Sequence, residues 1–340
     1  MSRRVGLLGY GMAGEIFHAP FIATTAGLEL AVVLTGQPER AERIHQRYPS
    51  AQVVDSMEKF WKADPEVVVV AVPNQFHVEL ALQAIQRSRP VVVDKPLAPS
   101  LAEARLLVGD SPVFVFQNRR WDGDFLTVQK LLSEGRLGHI FRFESRFERW
   151  RPQAPAGNWR EDPAQGGLLL DLGSHLVDQA IVLFGRPRSV YAEIEQRRKG
   201  PSADDDCFVA LEHDHEVRSH LWMGSLARLP GPRFRLSGQF GAFQKSGMDP
   251  QQHRLREGHW PGGEGWGLES PANWGTLALG EEELSIPTEP GDYGGYYRCL
   301  ASFLNGQGQS PPTLEAGLQV LEILEAARTS AREKRLVLLN

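Results

Sequence analysis

The feature that most constrains this chain is a glycine-rich turn that directly follows an apolar run near its start. Residues 5–8, Val-Gly-Leu-Leu, predict a buried strand, and they lead into Gly9-x-Gly11-x-x-Gly14. Gly9 permits the tight turn, Gly11 has no Cβ to hold a pyrophosphate away from the backbone, and Gly14 lets the next helix lie close to the strand. The pattern favours dinucleotide binding over a purely structural turn. The residues expected to contact the phosphates are Gly9, Gly11, Met12, Ala13 and Gly14.

The first third of the chain alternates strand patterns with helix patterns. Each predicted strand is a short apolar run, which is typical of a parallel sheet covered on both faces by helices. Because crossovers between parallel strands are right-handed, the pattern predicts a doubly wound Rossmann domain over residues 1–118. After the first strand, the predicted strands cover residues 28–34, 52–54, 67–72, 91–93 and 113–116.

The loops that follow these strands are expected to meet, because ligands bind at the carboxyl ends of the strands in a doubly wound sheet. Several of these loops carry glycine or polar residues that suit a ligand. They are Gly9-Tyr10-Gly11, Thr35-Gly36, Pro73-Asn74, Asp94-Lys95-Pro96 and Gln117-Asn118.

The second strand ends without the carboxylate that binds the ribose hydroxyls in NAD-preferring domains. Its last residues are followed by Thr35-Gly36-Gln37. The missing acid removes repulsion against a 2′-phosphate, to which Thr35 could donate and which Arg40 or Arg43 could reach. The pattern therefore favours NADP over NAD, and weak selectivity is the alternative if neither arginine reaches the phosphate.

Lys95 is the strongest single candidate for a catalytic residue. It follows a buried strand and precedes Pro96, which restricts its backbone. A lysine at this place points into the predicted cleft, where a partly dry site would lower its pKa and suit it to acid–base work. The alternative is a surface lysine paired with Asp94.

A second polar group lies on the helix predicted over residues 168–184. Asp171, His175 and Asp178 have the spacing that places side chains on one helical face, between apolar residues on both sides. Polar side chains within an otherwise apolar helix need hydrogen-bond partners or have a function. The alternative is a capping acid with a histidine that is satisfied by its neighbours.

After residue 118 the predicted pattern changes to a few helices and many strands separated by Gly-, Pro- and Asp-rich turns. This pattern is typical of a mostly antiparallel sheet. The chain is therefore predicted to form an α/β Rossmann domain and an α+β domain with a large open sheet over residues 119–340. The stretch 247–274 is predicted to be a long irregular excursion.

Composition excludes several classes of function. The net charge of −5 and the pI of about 6.1 argue against nucleic acid or an anionic membrane as a partner. No apolar run reaches the ~18–20 residues that span a bilayer. Two cysteines exclude a disulfide framework and fit a reducing cytoplasm. No metal is expected, because the cluster of His213, His215 and His220 suits no common zinc motif.

Taken together, the motifs resemble the Gfo/Idh/MocA oxidoreductases over essentially the whole chain. The residues that carry the resemblance are the turn 9–14, Val72-Pro73-Asn74 with His77, Asp94-Lys95-Pro96, and Gly166-Gly167 with Asp171, His175 and Asp178. Further motifs resemble the scyllo-inositol dehydrogenase branch, which is typically NADP-linked. They are the stretches 118–127, Arg149-Trp150-Arg151-Pro152, Trp159-Arg160-Glu161, 171–175 and Tyr296-Tyr297-Arg298.

The resemblance implies hydride transfer between a secondary alcohol of a polyol or sugar and a nicotinamide. Lys95 would move the proton of the substrate oxygen, His175 would assist at the same oxygen, and Asp171 would orient substrate hydroxyls or His175. The family also implies a homodimer or homotetramer through the second sheet. The resemblance assigns the nicotinamide side to Pro73, Asn74 and His77, and the substrate side to Asn118, Trp121, Arg151 and Asp178.

Two other functions remain open. The first is reduction of a different carbonyl, such as a keto-sugar or an anionic ketone, with Arg149, Arg151 and Arg160 binding the anionic group. The second is a dinucleotide-binding regulator without activity, which the presence of both Lys95 and His175 disfavours.

Overall fold

The computed structural model describes residues 2–154, 161–162, 166–200 and 203–339. The motif residues Trp159 and Arg160 lie outside the described residues. Within the described residues, no helix is both long and apolar enough to cross a membrane.

Strands and helices alternate through the first part of the chain, as the apolar runs predict. The strands are β1 (Arg3–Leu8), β2 (Leu28–Leu34), β3 (Gln52–Val54), β4 (Val67–Val70), β5 (Val91–Val93) and β6 (Val113–Val115). The helices are α1 (Ala19–Thr24), which a π-helical turn (Gly14–His18) precedes, α2 (Pro38–Arg47), α3 (Met57–Lys62), α4 (His77–Ile85) and α5 (Leu101–Arg105).

The rest of the chain is dominated by strands. They are β7 (Ile140–Glu148), β8 (Ser189–Glu195), β9 (Asp206–Glu212), β10 (Arg218–Gly224), β11 (Phe234–Gly238), β12 (Gly241–Lys245), β13 (Gly275–Leu279), β14 (Glu282–Ile286) and β15 (Val337–Leu338). The helices are α6 (Gly123–Ser133), α7 (Ser174–Phe184), which a π-helical turn (Leu169–Gly173) precedes, α8 (Gln251–Arg256), α9 (Gly294–Leu304) and α10 (Leu314–Glu333).

The first sheet is parallel throughout and has the order β3-β2-β1-β4-β5-β6. Its central strands are buried on both faces, which explains their unbroken valine and leucine runs. The order reverses direction between β1 and β4, so their carboxyl ends form the switch point where a doubly wound sheet binds its ligand. The predicted Rossmann fold is confirmed.

The second sheet has nine strands in the order β14-β13-β12-β11-β7-β10-β9-β8-β15. All its neighbouring strands are antiparallel except β7 and β10. Along the central strands, buried residues alternate with more exposed ones, as in β9, where Cys207, Val209 and Leu211 are buried. The predicted large, mostly antiparallel sheet is confirmed.

The chain forms two compact units, and each contains several stretches of sequence. The first unit comprises residues 1–118, 251–266 and 292–318, and the second comprises residues 119–250, 267–291 and 319–340. This division differs from a single boundary at residue 118. The physical reason lies in α9, whose Tyr296 and Tyr297 pack on Phe116 of the first unit at ring-centroid distances of 4.8 and 5.9 Å.

Candidate functional site

The glycine turn after β1 has one place that a ligand could fill. Gly9 has a φ of +96°, and a Cβ on it would lie 2.7 Å from the carbonyl oxygen of Ala71. A Cβ on Gly14 would lie 2.2 Å from the carbonyl oxygen of Gly9, so the chain's own packing requires both glycines. In contrast, a Cβ on Gly11 would meet, among the described residues, only Arg40 Nη1 at 4.0 Å. The open space at Gly11 fits the pyrophosphate of a dinucleotide.

The two arginines predicted near the 2′-phosphate lie on α2, the helix after β2, and their side chains have different contacts. Arg43 is engaged with both carboxylate oxygens of Glu15, at 2.9 and 3.1 Å. Arg40 instead brings its guanidinium next to Gly11. Thr35 is buried, and its hydroxyl accepts a hydrogen bond from the backbone N–H of Gln37 at 3.3 Å. Of the two predicted arginines, Arg40 is therefore the one that lies beside the open part of the turn.

Asp94 fixes the backbone at Lys95. The backbone N–H of Lys95 donates to Asp94 Oδ1 at 2.7 Å, and the N–H of Asp94 donates to the carbonyl of Val70 of the neighbouring strand at 2.9 Å. Burial opposes ionisation of Asp94, but His18, Lys95 and nearby His77 outweigh it and hold its pKa below the usual value. The ionised aspartate thus anchors the loop that presents Lys95.

His18 lies between Asp94 and Tyr297 of α9. It is completely buried, its ring packs on Phe116 at 4.2 Å, and its Nε2 lies 3.8 Å from Asp94 Oδ2. Its Nδ1 lies 2.6 Å from the hydroxyl of Tyr297. Burial raises the pKa of Tyr297 well above its ordinary value, so the phenol stays protonated. Because the carboxylate of Asp94 faces Nε2, the geometry favours a proton on Nε2 and a hydroxyl that donates its hydrogen bond to Nδ1. This tautomer leaves the Nε2–H of His18 facing the carboxylate of Asp94.

The side chain of His77 is buried between two of the predicted ligand loops, where its ring contacts backbone carbonyls. It is 1% exposed, with Nε2 at 2.8 Å from the carbonyl oxygen of Val72 and Nδ1 at 2.9 Å from that of Pro96. Burial lowers its pKa, although Asp94 and the carbonyls of Val72 and Pro96 oppose the shift. The neutral ring has one N–H, which it donates to one of the two carbonyls. His77 therefore ties the loop that holds Pro73 and Asn74 to the loop that holds Lys95.

In the second unit, His175 and Asp178 are buried on α7, and Asp171 precedes them in the π-helical turn. Asp178 accepts two hydrogen bonds from Arg120, at 2.6 and 2.8 Å. The ring of His175 lies edge-on to Phe147 with 6.4 Å between centroids. The helical spacing thus brings the three predicted polar side chains onto one short stretch of helix.

The glycine pair before this helix admits another chain segment. Gly167 has a φ of +103°, and a Cβ on it would lie 2.0 Å from Asp204 Oδ1. The other carboxylate oxygen of Asp204 accepts a hydrogen bond from the backbone N–H of Leu169 at 2.8 Å. Asp204 therefore holds the start of the helix, a function that the sequence pattern had offered to Asp171.

The buried side chain of Arg233 contacts α7. The guanidinium of Arg233 lies 4.0 Å from the ring centroids of both Phe147 and Phe234, and it donates to Gln179 Oε1 at 2.8 Å. Arg233 Nε lies 3.6 Å from Asp124 Oδ2. Burial raises the pKa of Asp124 to about 6, with Arg233 opposing the shift. Through Gln179, this buried network contacts α7, the helix that carries His175.

The remaining predicted substrate residues lie in turns and loops between the helices and strands. Asn118 is buried and Trp121 is half-buried in one 3₁₀ turn, whereas Arg151 is exposed. Arg149 is half-buried, and burial followed by the charge of Arg151 lowers its pKa, while Asp171 acts in the opposite direction. A concentration of positive charge therefore lies near Asp171.

Sequence reasoning missed His18 and Asp204, and it assigned no role to Tyr297 although this residue lies in a motif that carries the resemblance. His18 had one visible signal, since it is a polar residue inside the otherwise apolar run Phe17 to Ile22. Tyr297 is 279 residues away from its partner and gives no local signal. At the histidine-rich turn, His213 is buried between Gly185 O at 2.8 Å and Ser219 Oγ at 2.9 Å.

A parallel sheet whose first strand leads into this glycine turn is typical of a dinucleotide-binding domain. The family model described as "Oxidoreductase family, NAD-binding Rossmann fold" matches residues 3–109, and the model described as "Oxidoreductase family, C-terminal alpha/beta domain" matches residues 129–339. The chain belongs to the Gfo/Idh/MocA oxidoreductase family.

Several proteins are similar over nearly the whole length. The scyllo-inositol 2-dehydrogenase (NADP(+)) IolW of Bacillus subtilis is 34% identical, covering 99% of this chain and 96% of that protein. The Escherichia coli oxidoreductase YdgJ is 38% identical, covering 97% of each chain. The solved structure of the oxidoreductase yvaA from Bacillus subtilis superimposes with a TM-score of 0.92 at 32% identity, covering 100% of both chains.

Proposed function

We propose that this oxidoreductase transfers a hydride between a secondary alcohol of a cyclitol or sugar and a nicotinamide, with NADP as the preferred cofactor. The observation that carries the proposal is the anchored loop at Lys95, in which Asp94 and His77 fix a lysine at the carboxyl end of a central strand. The names of the relatives support the substrate class, because they include scyllo-inositol 2-dehydrogenase, inositol 2-dehydrogenase and D-glucoside 3-dehydrogenase.

Each proposed role follows from the chemistry of the side chain. Lys95 Nζ takes the proton of the substrate hydroxyl in the oxidative direction and returns it in the reductive direction. His175 hydrogen-bonds the same oxygen, and Asp171 orients the neighbouring hydroxyls. A nicotinamide dinucleotide held at the glycine turn would supply the hydride chemistry. General acid–base help of this kind contributes about 10²- to 10⁴-fold to the rate.

The preference for NADP rests on the end of β2. Residues 35–38, which follow β2 directly, contain no carboxylate, and the polar groups near this strand end include the buried Thr35 hydroxyl and the Arg40 guanidinium. Among the relatives, the name of IolW states an NADP-linked reaction.

A rate assay at the absorbance of the reduced nicotinamide tests the proposal. A panel of neutral cyclitols and sugars is compared with keto-sugars and keto-acids, each with NADP(H) and NAD(H). We expect the highest kcat/KM with a neutral polyol and NADP. Turnover confined to anionic carbonyls, or tight dinucleotide binding with no turnover on the whole panel, would contradict it.

One observation favours a second candidate, an anionic carbonyl substrate. The Nε of Arg149 is buried without a hydrogen-bond partner among the described residues, and Arg151 adds a second positive charge to its surroundings. Guanidinium groups bind carboxylates and phosphates well. The anionic arm of the same panel decides between the two substrate classes.

We also propose that two copies of the chain associate through the outer face of the second sheet. That face carries a cluster of rings, with Phe208 and Trp222 at 5.1 Å, His220 and Trp222 at 5.9 Å, and the Arg146 guanidinium 3.8 Å above Trp222. Light scattering of the parent and of Trp222→Glu gives the test. A dimer or tetramer that the variant dissociates supports the proposal, and a monomeric parent contradicts it.

A further inference from the structure

The stretch 251–266 packs within the first unit, although it is distant in sequence from the glycine turn. Gln251 Oε1 accepts a hydrogen bond from the backbone N–H of Tyr293 at 2.7 Å, and Trp266 packs on Phe21 at 6.2 Å between centroids. Trp260 packs on Tyr48 at 5.9 Å. The stretch is therefore anchored at its start, near its middle and at its end.

This stretch brings Arg256 to the glycine turn. Its Nη2 lies 3.7 Å from the sulfur of Met12, the residue that follows Gly11. Met12 is 45% exposed, so the guanidinium lies at the surface of the turn rather than in the core. Arg40 approaches Gly11 itself, with its Nη1 4.0 Å from the position of a Cβ there. Two guanidinium groups therefore lie at adjacent residues of one turn.

The charges at this turn suit a ligand with two ionised phosphoryl groups. A thioether is a weak acceptor, whereas phosphate oxygens form short, charge-assisted bonds with guanidinium groups. The nearby carboxylate of Glu15 is engaged by Arg43 in two hydrogen bonds, which offsets its negative charge. The turn thus combines an open backbone at Gly11 with the positive charge of Arg256, next to Arg40, which is proposed for the 2′-phosphate.

We propose that Arg256 is a pyrophosphate-binding residue of the dinucleotide site, delivered by the stretch 251–266 from 244 residues downstream of Met12. The inference rests on dinucleotide binding at the glycine turn. It goes beyond that function because it assigns a role to the stretch 251–266, which supplies a contact to the phosphates that the sheet itself does not provide.

Calorimetric titration with separate pieces of the cofactor tests the inference. ADP carries the diphosphate, whereas adenosine 2′-monophosphate carries a single phosphate at the other end of the nucleotide. We expect Arg256→Gln to weaken the binding of NADPH, NADH and ADP by about 10- to 100-fold, because a hydrogen-bonded charge contact is lost. Binding of adenosine 2′-monophosphate should stay within about threefold of the parent, because this ligand lacks the phosphate that Arg256 contacts.

His253→Gln is the matched control, since it changes an exposed side chain of the same short helix. It should leave every affinity unchanged. Parent-like binding of ADP and NADH to Arg256→Gln would overturn the inference, and so would an equal loss for adenosine 2′-monophosphate. Failure of the parent itself to bind NADPH, NADH and ADP would instead contradict dinucleotide binding, so the two failures are distinguishable.

Discussion

The hydroxyl of Tyr297 and the Nδ1 of His18 lie 2.6 Å apart in a hydrogen bond that no solvent reaches. The hydroxyl satisfies Nδ1 in the tautomer of His18 whose Nε2–H faces Asp94, and Asp94 in turn accepts a hydrogen bond from the backbone N–H of Lys95. A residue of α9 thereby acts on the proposed proton-transfer lysine through two others. We therefore propose that Tyr297 and His18 are positioning residues for Lys95.

Tyr297→Phe removes the hydroxyl and leaves Nδ1 of His18 buried without its donor. We expect a loss of about 1–2 kcal/mol in the free energy of unfolding, because an unsatisfied buried group costs that much. We also expect kcat to fall about tenfold and the pH–rate profile to move, with NADPH affinity unchanged. Urea unfolding, steady-state kinetics at several pH values and NADPH titration measure these effects.

Tyr296→Phe is the matched control, since it removes a phenol hydroxyl from the neighbouring position of the same helix. A Tyr297→Phe enzyme that is less stable but keeps the parent's pH–rate profile would show a purely structural role for this tyrosine.

Lys95→Ala removes the proposed proton acceptor. We expect kcat to fall by about 10²- to 10⁴-fold, which is the usual contribution of general acid–base catalysis. The dissociation constant for NADPH should stay nearly unchanged, because the phosphates bind at the glycine turn. Lys62→Ala, at an exposed lysine of α3, should leave the turnover of the same polyol intact. Parent-like turnover by Lys95→Ala would remove Lys95 from the mechanism.

Gly11→Ala and Gly14→Ala separate binding from folding. A Cβ at residue 11 enters open space, so the free energy of unfolding should change by less than about 0.5 kcal/mol. Dinucleotide affinity should fall at least about tenfold, because the methyl group occupies the place of the pyrophosphate. A Cβ at residue 14 meets the carbonyl of Gly9, and the variant should lose about 1–3 kcal/mol of stability.

Thermal melts and fluorescence titration with NADPH measure the two quantities independently. Unchanged NADPH affinity in a folded Gly11→Ala protein would mean that the pyrophosphate does not approach this residue.

Arg40→Gln and Arg43→Gln test the preference for NADP. Arg40 lies beside the open turn, whereas Arg43 is engaged by Glu15. We expect Arg40→Gln to lower the ratio of NADPH to NADH affinity by about tenfold or more, and Arg43→Gln to lower it less. Titration of both cofactors gives the ratio. The reverse ranking of the two variants would assign the 2′-phosphate to Arg43.

His77 makes stability depend on pH. Its pKa is lower in the folded protein than the value of about 6.5 expected for an unfolded chain. As the pH falls below about 6.5, the unfolded chain takes up a proton that the folded protein refuses, so the free energy of unfolding falls. This histidine contributes at most about 1.4 kcal/mol per pH unit to the slope. His77→Gln should lose that slope.

Urea unfolding between about pH 5.5 and 8.5 measures the slope, and both proteins should show the same pH dependence above about pH 7.5, where the imidazole is neutral in both states. A slope below about pH 6.5 that is unchanged in the variant would mean that His77 is protonated in the folded protein.

The local sequence patterns were sufficient to predict the two sheets. The valine runs of β4 and β5 indicated strands buried on both faces, and glycine spacing located the turn after β1. The interior alternation of β9 and its neighbours indicated the second sheet. These signals lie within a few residues of the feature that they predict, so one chain is enough to detect them.

Contacts between distant parts of the chain left no such signal. The pairing of Tyr297 with His18 and the approach of Arg256 to Met12 join residues 279 and 244 positions apart. Asp178 stood out as a polar residue in an apolar helix, but its partner Arg120 could not be chosen from the many arginines of the sequence. Such choices depend on tertiary packing, which periodicity does not encode.

The nucleotide-binding unit is assembled from three separated stretches, and its last sheet strand receives a late partner, because the N–H of Val115 donates to the carbonyl of Pro312 at 2.8 Å. A ribosome therefore releases the first strands of this unit long before it makes the residues that cover them. Until α9 emerges, Phe114 and Phe116 lack the aromatic side chains of that helix on which they pack in the folded protein. The unit whose first strands are translated earliest stays incomplete until residue 318 has been made, and for that interval it is a candidate for chaperone capture.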